Sequence, residues 1–241
     1  MRVLHEIVSE AVTGFRNLLF PGVCLSCGQP SVEGLELLCP FCKENSFDEA
    51  NPFRTNTCPG VILPAILEYQ FAMWRYDKGG SLQRLLHNIK YNGLGRLGFE
   101  LGCLLGERLR NCPAVSGYLN SGMSMLLVPV PLHPRRKRMR GFNQAELIAM
   151  GISSVTGIPV ADDTAVSRSR YTRTQTGFSL LARNSNMAGA FQLEDEQALA
   201  GKHLMLVDDV FTTGATTYAL ATCLREAAPE GMGVVTIAYA P

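Results

Sequence analysis

The sequence predicts an α/β fold, a mostly parallel twisted sheet with helices on both faces, with a small metal-binding module at its N-terminus. Three observations predict it. From residue 61 onward, apolar strand-like runs alternate with helical patterns, the order expected of parallel β-α-β units. The runs ending at Val130 and Val207 lead straight into charged or hydroxyl-rich segments, and ligands of such sheets bind at the carboxyl ends of strands. Before them, four cysteines are paired as CxxC, a spacing suited to a tetrahedral metal site. The 241 residues suffice for one full α/β domain plus an appendage. We divide them into 1–60, an amphipathic helix and a cysteine module, and 61–241, the α/β domain.

The first segment reads MRVLHEIVSEAVTGFRNLLF. Leu4, Ile7, Val8, Ala11, Val12, Phe15, Leu18 and Leu19 recur at helical spacing, and Glu6, Glu10 and Arg16 interrupt any long apolar run. The pattern is an amphipathic helix packed on its own domain, not a secretory segment or a membrane span. The expectation is a cytoplasmic protein with no stable membrane insertion. Net charge is +1, so no global field argues for nucleic acid.

Eight cysteines in such a protein do not read as a disulfide framework. Cys24, Cys27, Cys39 and Cys42 follow C-x2-C-x11-C-x2-C. Each pair places two thiolates on one side of a tight turn, and two facing turns make an S4 site that suits zinc. Gly28, Pro30 and Gly34 supply turns between the pairs. The zinc is structural, since four thiolates leave no open position. Redox CxxC chemistry needs one pair beside a βαβ pattern, which is missing here. Lys43 and Arg54 are the cations between residues 20 and 60, too few for a nucleic-acid surface. Cys58 is a fifth thiol or a spare.

Next, VILPAILEYQFAMWRYD holds a strand, and Ser81 precedes LQRLLHNIKY, a capped helix. Gly93, Gly95 and Gly98 match GxGxxG but follow a helix, not a strand, so a dinucleotide site is rejected. Gly98, Gly102 and Gly106 place small residues on one helix face for close packing. Met123 to Pro131 is a buried strand that prolines end. A basic loop, AELIAMGISSVTG as a helix, and IPV as the start of a strand follow. The polar stretch beginning at Asp163 reads as a long loop running into a short helix, a length that is often functional. GKHLMLVDDV is a strand, ATTYALATCLREA a helix and MGVVTIAYA a last strand.

The chemistry concentrates in LMLVDDVFTTGATT, Leu204 to Thr217. An apolar strand runs into Asp208 and Asp209, then into Thr212, Thr213 and Gly214 before a helix near Ala215. A helix start with a glycine and hydroxyls (Thr212, Thr213, Gly214, Ala215, Thr216) cradles a phosphate. The lysine of a Walker A loop is absent. The carboxylates would repel a phosphate but suit ribose hydroxyls, or magnesium bound to that ribose. A ribose 5-phosphate such as that of phosphoribosyl pyrophosphate (PRPP) has this shape. The stretch resembles the signature of type I phosphoribosyltransferases. The cysteine quartet, IKYNGLGRLG at 89–98, VPVPLHPRRKRMRGFNQAELIA at 128–149, Arg173 and Gln175 through Arg183 and Asn184, and Ala190-Phe191 resemble in particular the ComF family. The resemblance covers nearly the whole chain. It implies PRPP and zinc binding. For the competence members it implies cytoplasmic handling of incoming single-stranded DNA during natural transformation.

In type I transferases the loop matching PLHPRRKRMRGFNQ holds the pyrophosphate. Five cations lie between Arg135 and Arg140, and they fit such a leaving group with magnesium. Arg135 and Arg140 are the candidates, and Asn143 is a helix cap. A solvated basic stretch and a DNA-backbone contact are the other readings. Arg168 to Asn184 resembles the flexible loop that closes over the ribose, with Arg173 a further PRPP contact. Lys90 reads equally as an anion contact or a surface lysine. Catalysis would rest on Asp208, Asp209, Arg135 and Arg140, with no protein nucleophile. Three classes stay open: a PRPP-dependent transferase of unknown acceptor, a PRPP-sensing accessory protein of DNA uptake with DNA-uptake proteins as partners, and a regulator that has lost catalysis.

Overall fold

The computed structural model describes residues 22–30, 37–50, 53–55, 65–170 and 189–240. The N-terminal amphipathic helix, Cys58, Arg173, Gln175, Arg183 and Asn184 lie outside the described residues. The chain divides into two compact units, Met1–Asp48 and Glu49–Pro241. This division falls ahead of the boundary expected at residue 60, because Glu49 bridges Trp74 and Phe53–Arg54 pairs with the edge of the sheet.

In the first unit, the Cys24 amide donates to the Gln29 carbonyl (2.8 Å), and the Gly28 amide returns to the Cys24 carbonyl (2.8 Å). Gly28 closes that knuckle with φ 74°, a conformation that costs glycine little. A short helix, α1 (Pro40–Asn45), carries the second knuckle, with Pro40 in its first turn, where a missing N–H is harmless.

The second unit is built on a five-stranded sheet of order β1-β2-β7-β6-β3. The strands are β1 (Phe53–Arg54), β2 (Tyr69–Arg75), β3 (Met125–Pro129), β6 (His203–Phe211) and β7 (Gly231–Tyr239). The pairings β2–β7, β7–β6 and β6–β3 are parallel, and β1 is antiparallel at one edge. The predicted mostly parallel sheet is the one observed. IPV is no strand: Val160 makes a single parallel bridge to Leu127. The described ends of the polar stretch after Asp163 are strands as well, β4 (Val166–Arg168) and β5 (Phe191–Leu193), paired antiparallel.

Alternate β6 residues face opposite sides. Leu204 and Leu206 join a buried cluster with Leu220, Ala221 and Leu224 of α7 (Ala215–Leu224). On the other side lie α3 (Gly95–Asn111) and α6 (Gln144–Thr156), with α6 against β3 and β6 and α3 against β7. The glycine face predicted on α3 is where the two helices meet. A Cβ at Gly102 would come within 2.2 Å of the Ile148 carbonyl oxygen. The remaining helices are α2 (Ser81–Tyr91), α4 (Pro113–Asn120) and α5 (Pro134–Arg140). Helix α2 starts at a Gly80 cap rather than at Ser81, and Asp77 accepts from the amides of Leu82 (3.1 Å) and Gln83 (2.9 Å).

Candidate functional site

The carboxyl end of β6 positions the acid pair. Leu204 and Leu206 set one face, so Asp208 continues toward the α7 side and Asp209 points toward the α3–α6 side. Asp209 is 5% exposed and Asp208 is half-buried. The Asp209 amide donates to Asp208 Oδ1 at 2.8 Å, which ties the two together locally.

Lys90, one residue before the end of α2, forms an ion pair with Asp209. Burial pulls this lysine down, but the Asp209 carboxylate outweighs it and holds the ammonium above its ordinary value. Burial likewise pushes against the Asp209 charge, and Lys90 overcomes it, keeping Asp209 below the usual carboxylate range. Asp208 lacks a cation in direct contact among the described residues. Burial first, and then the Asp209 charge, push it up to about 8.

Beyond the acids, β6 ends at Phe211, and Gly214 opens α7 with φ 73°. Glycine is required there twice over. The conformation is left-handed, and a Cβ would come within 2.6 Å of the Tyr218 ring and 2.7 Å of the Phe211 ring. No side chain caps this helix start, so its first amides face outward as a phosphate-binding turn requires. Thr212 is exposed, whereas Thr213, Ala215 and Thr216 are half-buried.

The basic stretch after β3 is a seven-residue helix, α5, not a loop. His133 caps it, with Nδ1 accepting from the Arg135 amide at 3.2 Å, and Gly141 ends it in the left-handed region with φ 86°. Asn143 caps α6 as expected, accepting from the Ala145 amide (3.2 Å), and its own amide donates to the Val130 carbonyl (3.1 Å). One side chain thus ties the end of β3 to the start of the next helix. Arg140 turns inward, donating to Gln144 Oε1 and lying 5.9 Å from the Tyr91 ring centroid. Its charge acts on Asp209 and Asp208. Arg135 stands exposed in the first turn of α5. Lys137 is engaged elsewhere, with Asp163 at 2.8 Å and Glu146 at 3.7 Å. A cavity of about 320 Å³ opens beside α5, lined by Val128, Leu132, Arg138, Asn143 and Arg168 among others; the acid pair is not in its wall.

Sequence reasoning missed Gln144 and Arg168 and left Lys90 undecided. Gln144, buried at the first position of α6, helps to hold the Asp209 charge. Arg168 is 8% exposed, lies 5.3 Å from the Phe191 ring centroid, and acts electrostatically on Asp208. Lys90 had a legible signal. Leu82 and Leu86 are buried on α2, and Lys90 continues their i, i+4 row. A lysine on a buried row needs a partner.

In the first unit, Cys24, Cys27, Cys39 and Cys42 bring their sulfurs within 4.8 Å of one another, with Cys27 and Cys39 at 3.9 Å. A tetrahedral S4 zinc site with bonds of about 2.3 Å has sulfur–sulfur edges of ~3.8 Å, so the donor set fits the ion. The Cys39 and Cys42 amides donate to Cys24 Sγ and Cys39 Sγ at 3.4 Å each. Burial opposes ionisation of Cys24, but backbone amides outweigh it and draw the thiol down to about 6. Cys39 is pushed up to about 11: the Cys42 amide pulls it down, and burial and the neighbouring thiols outweigh that amide. Four thiols so close ionise together when a cation joins them.

No family model matches the chain. It is 30% identical over 220 residues to DNA utilization protein YhgH of Escherichia coli (strain K12), covering 86% of this chain and 92% of that protein. It is 36% identical over 115 residues to Competence protein F of Haemophilus influenzae, covering 47% of this chain and 50% of that protein. The chain belongs to the ComF family. Among solved structures, this ComF-family chain is similar to glutamine PRPP amidotransferase from B. subtilis, with 22% identity and a TM-score of 0.36 over 57% of this chain and 26% of that one. Among the described residues, no helix of this ComF-family protein is long and apolar enough to cross a membrane.

Proposed function

We propose that the protein binds a 5-phosphorylated ribose, PRPP in the first place, at the carboxyl end of β6. One observation carries this reading: Asp208 and Asp209 lie near the carboxyl end of a central parallel strand whose last residue, Phe211, leads into the glycine turn that opens α7. The 5-phosphate would enter the turn from Thr212 to Thr216, held by the helix-start amides and hydroxyls. The ribose hydroxyls would reach Asp208 and Asp209. Arg140, and Arg135 with Arg173 from the segment beyond β4, would face the pyrophosphate.

Where transfer occurs, the ribose carbon gains positive charge as pyrophosphate leaves. The two carboxylates are placed to favour that charge, and the arginines to favour the departing anion. Magnesium, when bound with the substrate, would neutralise further leaving-group charge. The phosphate turn supplies remote binding energy and fixes the sugar. The cysteine quartet would hold a structural zinc ion.

The relatives named for DNA utilization and competence support a role connected with DNA, and the proposed role is the handling of incoming single-stranded DNA in the cytoplasm. The exposed cations of α5 are the surface that would meet a DNA backbone. The test is a pyrophosphate-release assay on the zinc-loaded protein with PRPP, with and without single-stranded DNA. Release that single-stranded DNA raises supports both halves of the reading. PRPP binding without release makes the protein a PRPP sensor. Absence of PRPP binding removes the ribose-phosphate site.

A further inference from the structure

The acid pair is already neutralised from within. Lys90 is paired with Asp209. Arg140 acts electrostatically on both carboxylates, and Arg168 acts on Asp208. The ion pair balances the Asp209 carboxylate, so the acid pair offers a free divalent ion at most one uncompensated charge before any ligand arrives. Such a site holds a free divalent ion poorly. The lysine is also built in. Leu82, Leu85, Leu86 and Ile89 are buried and anchor α2 along its length, while Asp77 holds its first amides. Asp209 is fixed by the strand that carries it, with Val210 and Phe211 continuing the ladder to β7. The backbones that carry both partners are thus held by buried elements.

The geometry points to Lys90 as a tethered cation that stands in for a divalent metal at the acid pair: the free protein takes up no ion there, and ribose phosphate binds without one. This inference rests on the ribose-phosphate reading for its second half and stands independently for its first. Lys90 is a positioning residue. It fixes the Asp209 carboxylate with one oxygen engaged, so that the acids present hydrogen-bond acceptors to sugar hydroxyls rather than an ion cage.

The test uses full-length zinc-loaded protein and manganese as the probe, followed by the electron paramagnetic resonance signal of the free ion, with no sugar phosphate present. Wild type is expected to bind no more manganese than Asp209→Asn. Lys90→Gln is expected to gain one ion per chain, with affinity raised about tenfold or more over wild type. Adding Asp209→Asn to it abolishes that gain. Lys90→Arg, which keeps the charge, is expected to behave as wild type. Manganese uptake by wild type that Asp209→Asn removes overturns the inference, and this arm needs no variant at Lys90. A folded Lys90→Gln that gains no ion also overturns it.

Calorimetry in metal-free buffer supplies the second readout. Ribose 5-phosphate is expected to bind wild type equally with and without magnesium, within about twofold, while Lys90→Gln requires magnesium. Magnesium-dependent binding by wild type overturns the second half. If ribose 5-phosphate binds no form of the protein, the ribose-phosphate reading falls and takes that half with it. The manganese arm still decides the role of Lys90.

Discussion

The cysteine knuckles and the carboxyl end of β6 both crowd groups that carry negative charge when ionised, and they balance that charge by opposite means. Among the described residues, the sulfurs of Cys24, Cys27, Cys39 and Cys42 meet one another and a few backbone amides. The balancing charge must come from outside, as an ion. Asp209 is paired with Lys90 from α2, and its balancing charge is part of the fold. On the proposed reading, the first cluster is a site whose stability depends on metal, and the second is charged in advance of an anionic ligand.

The largest expected effect breaks the first half of this comparison. Cys42→Ser should release the metal and unfold the knuckles, because structural zinc in small modules contributes about 10 kcal/mol or more to folding. Limited proteolysis would then cut between residues 22 and 47, and metal analysis would find the zinc lost. An intact, metal-free knuckle would end the zinc assignment.

A smaller effect tests the second half. Asp209→Asn leaves Lys90 facing a buried site without its counter-charge, and breaking a buried pair in this way costs about 3 kcal/mol. The urea midpoint of the second unit should fall, with zinc content unchanged. Lys90→Met with Asp209→Leu, which removes both charges, should recover most of the loss. Equal losses in the single and double variants would show that the pair is not coupled.

Asn143→Ala should cost about 1–2 kcal/mol, since it removes the cap of α6 and the bond to Val130. It should also weaken PRPP binding, because it frees the helix whose first residue, Gln144, faces Asp209. A stability loss with unchanged affinity would separate the cap from the site.

The pH dependence supplies a test in which the sign decides. Asp208 lies at about 8 in the folded protein, against about 3.9 in an unfolded chain. The folded state therefore holds this proton more tightly. Its contribution is complete below the unfolded value and falls away as pH rises from about 4 to about 8. Asp209 has the opposite sign, since its depressed value gives a contribution that is lost as pH falls below about 4. Denaturation curves across this window should slope downward toward pH 8, and Asp208→Asn should flatten that slope. A slope unchanged in the variant would assign it to other groups.

How much of this was legible depended on distance along the chain. The cysteine quartet, the acid pair and the glycine turn are local patterns, and spacing alone exposes them. Strands β3, β6 and β7 were legible as apolar runs, and the α3 glycines as a packing face. The basic stretch was misread as a loop because its helix is set by local caps, His133 at one end and Gly141 at the other, and not by an apolar stripe. The strands β4 and β5 escaped notice because each is three residues long and gains its pairing only from the other. Lys90, Gln144 and Arg168 meet the acids through tertiary packing, and no short-range pattern announces such meetings. The Leu82–Leu86–Lys90 row was the one available hint.

The central claim is that Asp208 and Asp209 at the end of β6 bind the ribose of a 5-phosphorylated sugar. Calorimetric titration of PRPP into wild type and into Asp208→Asn/Asp209→Asn, each carrying its zinc, tests it most directly. The account predicts saturable binding by wild type, at least about a hundredfold weaker binding by the double variant, and equal zinc in both. Equal affinity in the two proteins would contradict it.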